Sequence, residues 1–490
     1  MEEVLGESNL FFLLLLALLP FFFFILNYIK SPTLPPGPFS WPIIGNLLKM
    51  GTKPHVSLAQ LAHTYGPIIS LRLGTRLLVI GSSPSAAIEI LKTHDRLLSA
   101  RTIPDASPTK DPAHTKFSLA WADCTDQWKY LRTICRSELF SIKAIESQSK
   151  MREEKVIELV KFLGTKDGQL VRIDEVVFDT MVNMLSNIFV SQDFVNMEER
   201  DSEEGLRGLV RKFVEVAATP NIADFYPILS VLDLHGLKKR SKELFVKICD
   251  LWGVMIKERR EGKTGNKDFL DFLLANGFIN DQINCLLLEL FSAGSDTSTS
   301  TIEWAMAELM KNEEAMKNVL SELEREIHTN MVKESDLPQL PYLHACVKET
   351  LRLHPPAPLL LPHRALETCK VMNYTIPKDT QVLVNVWAIG RDPMVWNDPL
   401  AFKPERFLDS NSLDMNLSDF RFIPFGAGRR ICPGLPMATK QVALILASLI
   451  NCFHWSLPHD MHPLELDMEE KFGVTLQKEQ PLVLIPRVKT

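Results

Sequence analysis

The sequence predicts a large, mainly α (α+β) body with small β-sheets, set behind an N-terminal membrane anchor. Three observations carry that expectation. A charge-free apolar run, Leu10–Leu26, lies near the start of the chain. Two long apolar helix patterns come much later, at Asp281–Asn312 and Leu435–Ile450. The stretches with strand character, such as Ile68–Leu73, are short and scattered, so helices must supply most of the core. Hydrophobic residues make up 46% and charged residues 23% of the 490, ordinary for a globular body. A net charge of −6 without a long basic run gives no surface for nucleic acid. The eight cysteines have no paired spacing, which reads as reduced thiols facing the cytosol.

In chain order, the apolar run comes first. At about 1.5 Å per residue it covers roughly 25–30 Å, the depth of a bilayer core. Its start is acidic (Glu2, Glu3, Glu7) and no Ala-x-Ala follows, so it reads as an uncleaved anchor. Lys30, Lys49 and Lys53 follow it and place the downstream side in the cytosol. Pro32, Pro35, Pro36 and Pro38 then form a stiff spacer. The expected division is an anchor over 1–30, a proline-rich hinge over 31–38 and one catalytic body over 39–490.

Within the body, Ile68–Leu73 and Leu77–Gly81 read as a hairpin around Gly74. Ser83 and Pro84 mark the start of a helix reaching Thr93. Ala100–Asp123 reads as one long loop, and such loops usually bind something. Trp128 and Arg132 are four apart on the next helix and share a face. By themselves they are equally a packed tryptophan beside a surface arginine. Lys129, Arg136 and Lys143 add a basic patch nearby. Residues 150–280 read as helices broken near Pro220 and Pro227. The Asp281–Asn312 helix carries Ala293-Gly294-Ser295-Asp296-Thr297-Ser298 in its middle. Glycine there costs roughly 1 kcal/mol against alanine, and a helical threonine bonds back one turn and loosens the ladder. A core helix accepts such residues when a ligand sits against it. Glu349 and Arg352 share a helix face before Pro355–Pro356. Leu359–Leu361 reads as an extended strand, and Lys378–Ile389 and Lys471–Ile485 supply further strands.

The most specific stretch is Phe425–Gly434, Phe-Gly-Ala-Gly-Arg-Arg-Ile-Cys-Pro-Gly. Its glycines let backbone approach a bulky group, and Arg429 and Arg430 favour the Cys432 thiolate. No second Cys or His stands at zinc-ligand spacing, whereas one thiolate suits haem iron. Phe425, Gly428, Arg430, Cys432 and Gly434 resemble, position by position, the haem loop of the cytochrome P-450 family of haem-thiolate monooxygenases. Stretches such as Ile90–Arg101, Ala365–Asp379 and Glu470–Lys478 are similar to the alkaloid-metabolism branch of its plant members.

The resemblance implies the family fold over residues 33–490 and haem b ligated by Cys432. It implies cofactor contacts from Phe425, Gly426, Arg430, Gly434, Trp128, Arg132 and Ala293, with His363 standing where many relatives carry arginine. It gives Asp296 and Thr297 the delivery of protons to dioxygen, and Glu349, Arg352 and Arg406 a buried structural triad. Asp105, Asp111, Phe117, Leu359, Leu360 and Val474 would line the substrate pocket, with Asp105 or Asp111 pairing with a protonated amine. No Gly-x-Gly-x-x-Gly is present, so electrons would come from NADPH through a partner haemoprotein reductase on the endoplasmic reticulum membrane. The expected activity is O2-dependent hydroxylation, coupling or rearrangement of a benzylisoquinoline or tropane amine. Monoterpenol hydroxylation of the geraniol type, and a non-enzymatic haem sensor, are the other readings.

Overall fold

The computed structural model describes residues 33–198, 205–262, 267–329, 331–408 and 419–489. The Leu10–Leu26 run and the expected anchor lie outside the described residues. Helix α1 (Pro54–Tyr65) leads into strands β1 (Ile68–Leu73) and β2 (Arg76–Gly81), which pair antiparallel from Ile68 opposite Gly81 to Leu73 opposite Arg76. Gly74 makes their turn at φ +61°. Helix α2 (Pro84–Ile88) starts as its sequence demands, with the Ser83 side chain accepting from the Ala86 N–H and Pro84 in the first turn. A wider π turn, Glu89–Thr93, ends it.

Strand β3 (Ala100–Arg101), β4 (His363–Arg364) and β5 (Gln381–Val384) complete a five-stranded sheet in the order β1-β2-β5-β4-β3. Its register sets Arg101 directly opposite His363. Three expectations need correction here. Ala100–Asp123 is not one loop: besides β3 it holds a 3-10 turn, Pro108–Lys110, and a short helix, Pro112–Thr115. Leu359–Leu361 is not a strand. Four prolines around it (Pro355, Pro356, Pro358, Pro362) remove ladder donors, and Leu360 turns the chain at φ +54°. Lys378–Ile389 is strand only to Val384, after which Asn385 caps the helix Val386–Gly390.

The helices supply the core. They include α3 (Asp126–Cys135), α4 (Ser149–Gly164), α5 (Ile173–Val190), α6 (Leu206–Ala218) and α7 (Leu237–Arg260). Helix α8 (Asn280–Lys311) runs through the middle and packs on α5 and on α10 (Leu435–Cys452), with α9 (Pro341–Leu353) beside it. Residues all round α8 are buried from Ser298 to Leu309, as a helix crossing a core requires. Among the described residues only α10 is long and apolar enough to cross a membrane; 61% of it is buried inside the body.

Candidate active site

The loop before α10 is closed on itself by the Cys432 N–H, which donates to the Phe425 carbonyl at 3.0 Å. Gly426 and Gly428 hold the loop at φ +70° and +68°, a region that favours glycine. A Cβ on Gly428 would lie 1.8 Å from the Leu91 carbonyl oxygen, so loop backbone rests directly on the end of α2. Burial pushes the Cys432 thiol up, while the N–H groups of Gly434 and Leu435 and the Arg132 cation pull it down. Its sulfur is nevertheless exposed. The thiol is thus accessible although nearby atoms desolvate it.

Helix α8 presents a second such surface. Ala293 is exposed and Gly294 and Thr297 are half-exposed, although Phe291, Ser295, Asp296 and Ser298 beside them are buried. Ala293 and Thr297 lie one turn apart on one face. Thr297 Oγ1 donates to the Ala293 carbonyl at 2.7 Å. Burial pushes the Asp296 carboxyl up to about 6, with Arg211 opposing. Such a group holds and releases a proton near neutral pH.

Three guanidinium groups gather near the cysteine loop, and none makes an ion pair among the described residues. Arg430 Nε donates to the Ser99 carbonyl at 2.8 Å, and another nitrogen to Ala122. Arg132 donates to the Ile431 carbonyl. Both lie over the Trp128 ring, at 4.6 and 5.3 Å, whose indole N–H donates to Leu119 at 2.9 Å. Arg101 is buried and donates to the Leu361 carbonyl at 2.8 Å, while its Nε has no partner. Burial, and then the Arg430 charge, push it down to about 9. This cationic cluster bonds carbonyls but no carboxylate among the described residues, and so suits anions.

His363 spends its one N–H within the chain. Its Nδ1 lies 2.6 Å from the Leu98 carbonyl, so that nitrogen carries the proton. Burial and Arg101 push the ring down to about 3, leaving a neutral imidazole whose Nε2 offers a lone pair. The available donor at this edge is Arg101, across the strand pair. Sequence reasoning passed over Arg101 because one arginine in a two-residue strand carries no pattern; its position opposite His363 comes from sheet register alone.

Asp105 is also placed differently. It is buried and ion-paired with Lys110, accepts from Ser230 Oγ at 2.7 Å, and lies 3.6 Å from Lys238. Its charge is met within the chain, which removes the reason to pair it with a substrate amine. Asp111 is exposed at the foot of the Pro112–Thr115 helix. Phe117 is buried with Lys116 over its ring. Leu359 belongs to the sheet's own core, and Leu360 lies 3.7 Å from the Cβ position of Gly426. Val474 is half exposed in a turn near the C-terminus.

Glu349 and Arg352 form a two-pronged pair, both contacts 2.7 Å, and Arg406 Nε reaches the same carboxylate at 3.2 Å. Arg352 also donates to the carbonyls of Gly390, Pro399 and Ala401. The triad therefore ties α9 to the segment leading into the cysteine loop.

Residues 35–485 match the family described as Cytochrome P-450. The chain belongs to the cytochrome P-450 family. It is 51% identical over 490 residues to a probable (S)-N-methylcoclaurine 3'-hydroxylase isozyme 2 of Coptis japonica, covering 99% of both chains. It is 49% identical to a corytuberine synthase of the same plant, covering 95% of this chain and 96% of the other. A geraniol 8-hydroxylase of Swertia mussotii is 44% identical, with 92% and 93% covered. A cytochrome P-450 carries haem b, takes its electrons from a partner reductase and acts as a monooxygenase. The residues present fit that cofactor. One exposed thiol suits the iron, three unpaired guanidinium groups suit two propionates, and glycine and alanine leave room for a flat ring. Cys432 would hold the iron, and Arg101, Arg132 and Arg430 the propionates. When bound, such a haem activates dioxygen for transfer of an oxygen atom.

Proposed function

We propose that this chain oxidises an amine alkaloid of the benzylisoquinoline type, with haem held by Cys432 and protons passed by Asp296 and Thr297. The observation that carries the substrate class is identity of about half over nearly the whole chain to a coclaurine-type hydroxylase and a corytuberine synthase. The geraniol enzyme is the more distant at 44%. Asp296 fits proton transfer because burial pushes its carboxyl up to about 6 and it adjoins the accessible Ala293 and Thr297. Thr297 stands next to it with a hydroxyl that already turns toward Ala293.

The reading extends to partners and place. The exposed cations Lys129, Arg136 and Lys143 offer a docking face for an acidic NADPH–haemoprotein reductase. Membrane attachment rests on the 1–30 anchor, the 31–38 hinge and a rim of exposed apolar side chains on the 39–490 body. Phe39, Trp41 and Ile43 are 60–74% exposed and Ile228 and Val231 85–91%; Tyr226 OH bonds the Ile43 carbonyl at 3.1 Å and joins the two groups. Such a rim suits a lipid surface.

The test is product analysis with microsomes containing the chain and a plant reductase, offered a panel of benzylisoquinolines and geraniol. Conversion of a benzylisoquinoline is expected. Thr297→Ala should keep haem and substrate binding while product per NADPH consumed falls by about tenfold, roughly 1.4 kcal/mol. Conversion of geraniol alone would overturn the substrate class. Deleting residues 1–30 should move part of the protein into the soluble fraction with its haem spectrum unchanged; loss of haem on truncation would make that segment part of the fold.

A further inference from the structure

Helix α8 carries seven hydroxyl side chains between Ser292 and Thr301. Hydroxyls on helices ordinarily return their proton to a carbonyl one turn back. Ser295, Thr297 and Thr301 do so, to Phe291, Ala293 and Thr297. Ser300 does not. Its Oγ leaves the helix and donates to the Leu476 carbonyl at 2.6 Å, with Ser300 2% and Leu476 0% exposed.

Leu476 is held from its other side as well, its N–H donating to the Pro356 carbonyl at 2.8 Å. One residue is thus clamped between α8 and the proline-rich turn that carries Leu359 and Leu360. Leu476 closes a turn that begins at Phe472, whose ring stacks on His55, 5.4 Å apart and 17° from parallel. Between these two anchors lie Gly473, whose Cβ position is 3.8 Å from Ala218 at the end of α6, and Val474, 47% exposed. Ser300 is four residues from Asp296 and three from Thr297, so it lies on their side of the helix.

We propose that Ser300 is a positioning residue that fixes Val474 against the substrate cavity through the Leu476 carbonyl, and so sets which ligand shapes the cavity admits. The bond has no substitute at that site: without the hydroxyl, a buried carbonyl loses its donor, and the turn must shift to find another. The proposal deepens the haem-enzyme reading and rests on it.

The experiment uses holoprotein and azole ligands, which report through the Soret band and need no knowledge of the substrate. Imidazole probes the iron alone; 1-phenylimidazole and clotrimazole probe progressively more of the cavity. In Ser300→Ala the clotrimazole Kd should change by about fivefold or more while the imidazole Kd stays within about twofold. Ser300→Thr, which keeps the hydroxyl, should recover the parent ratio. Val474→Ala and Ser300→Ala should combine non-additively, because both act through one turn. Equal shifts for all three azoles, no shift for any, or strict additivity with Val474→Ala would overturn the role of Ser300. A parent protein in which imidazole causes no Soret shift would overturn the haem reading itself, and the proposal with it.

Discussion

Replacing Cys432 by serine should leave a folded protein without the red-shifted Soret band of the reduced carbon-monoxide complex. Turnover should fall by at least about a thousandfold, equivalent to about 4 kcal/mol of barrier. The fold should survive because the loop's shape is set by backbone, through the Cys432 N–H to Phe425 bond and the left-handed glycines, and serine disturbs neither. Serine is close in size to cysteine, but its hydroxyl is a far weaker anionic ligand. The spectrum of purified Cys432→Ser, compared with its circular dichroism, checks both halves. A normal carbon-monoxide band in that variant would remove Cys432 from the iron.

The second large effect belongs to Glu349. Glu349→Ala leaves Arg352 with no carboxylate while its guanidinium stays fully buried. The same change removes the acceptor of Arg406 Nε and of the Lys403 N–H at 2.8 Å. Orphaning a buried charge costs about 3–5 kcal/mol, against a total stability of about 5–15 kcal/mol. The three carbonyl bonds that Arg352 keeps do not neutralise it. Haem-loaded protein per total protein should drop several-fold and the denaturation midpoint should fall. Glu349→Gln, which keeps the shape but only one acceptor oxygen and no charge, should fall between. An unchanged midpoint in Glu349→Ala would mean that Arg352 finds another counter-charge.

Much of this was legible in the residues. The long helices announced themselves by apolar periodicity, and α8 runs from Asn280 to Lys311 where Asp281–Asn312 is read from sequence. The cysteine loop was legible because glycine, arginine and cysteine at fixed offsets admit few other uses. Short elements were less so. Leu359–Leu361 has strand composition, yet neighbouring prolines withhold the donors a ladder needs. Lys378–Ile389 has one apolar pattern but two structures, divided by the cap at Asn385. Charged side chains were least legible, since their role depends on partners distant in sequence. Asp105 looked available until Lys110, Ser230 and Lys238 converged on it. Arg101 acquires its place from a strand more than two hundred residues away.

The contact between Gly428 and Leu91 bears on how freely this region can be redesigned. Two main-chain segments meet there, with no room for a carbon between them. At position 91 any residue supplies the carbonyl, and the Leu91 side chain serves the core behind it. Position 428 has no such latitude, and the left-handed turn restricts it again. An engineer altering ligand preference therefore has almost no choice at Gly428. Libraries that spare this glycine should retain a far larger fraction of haem-loaded members than libraries that vary it.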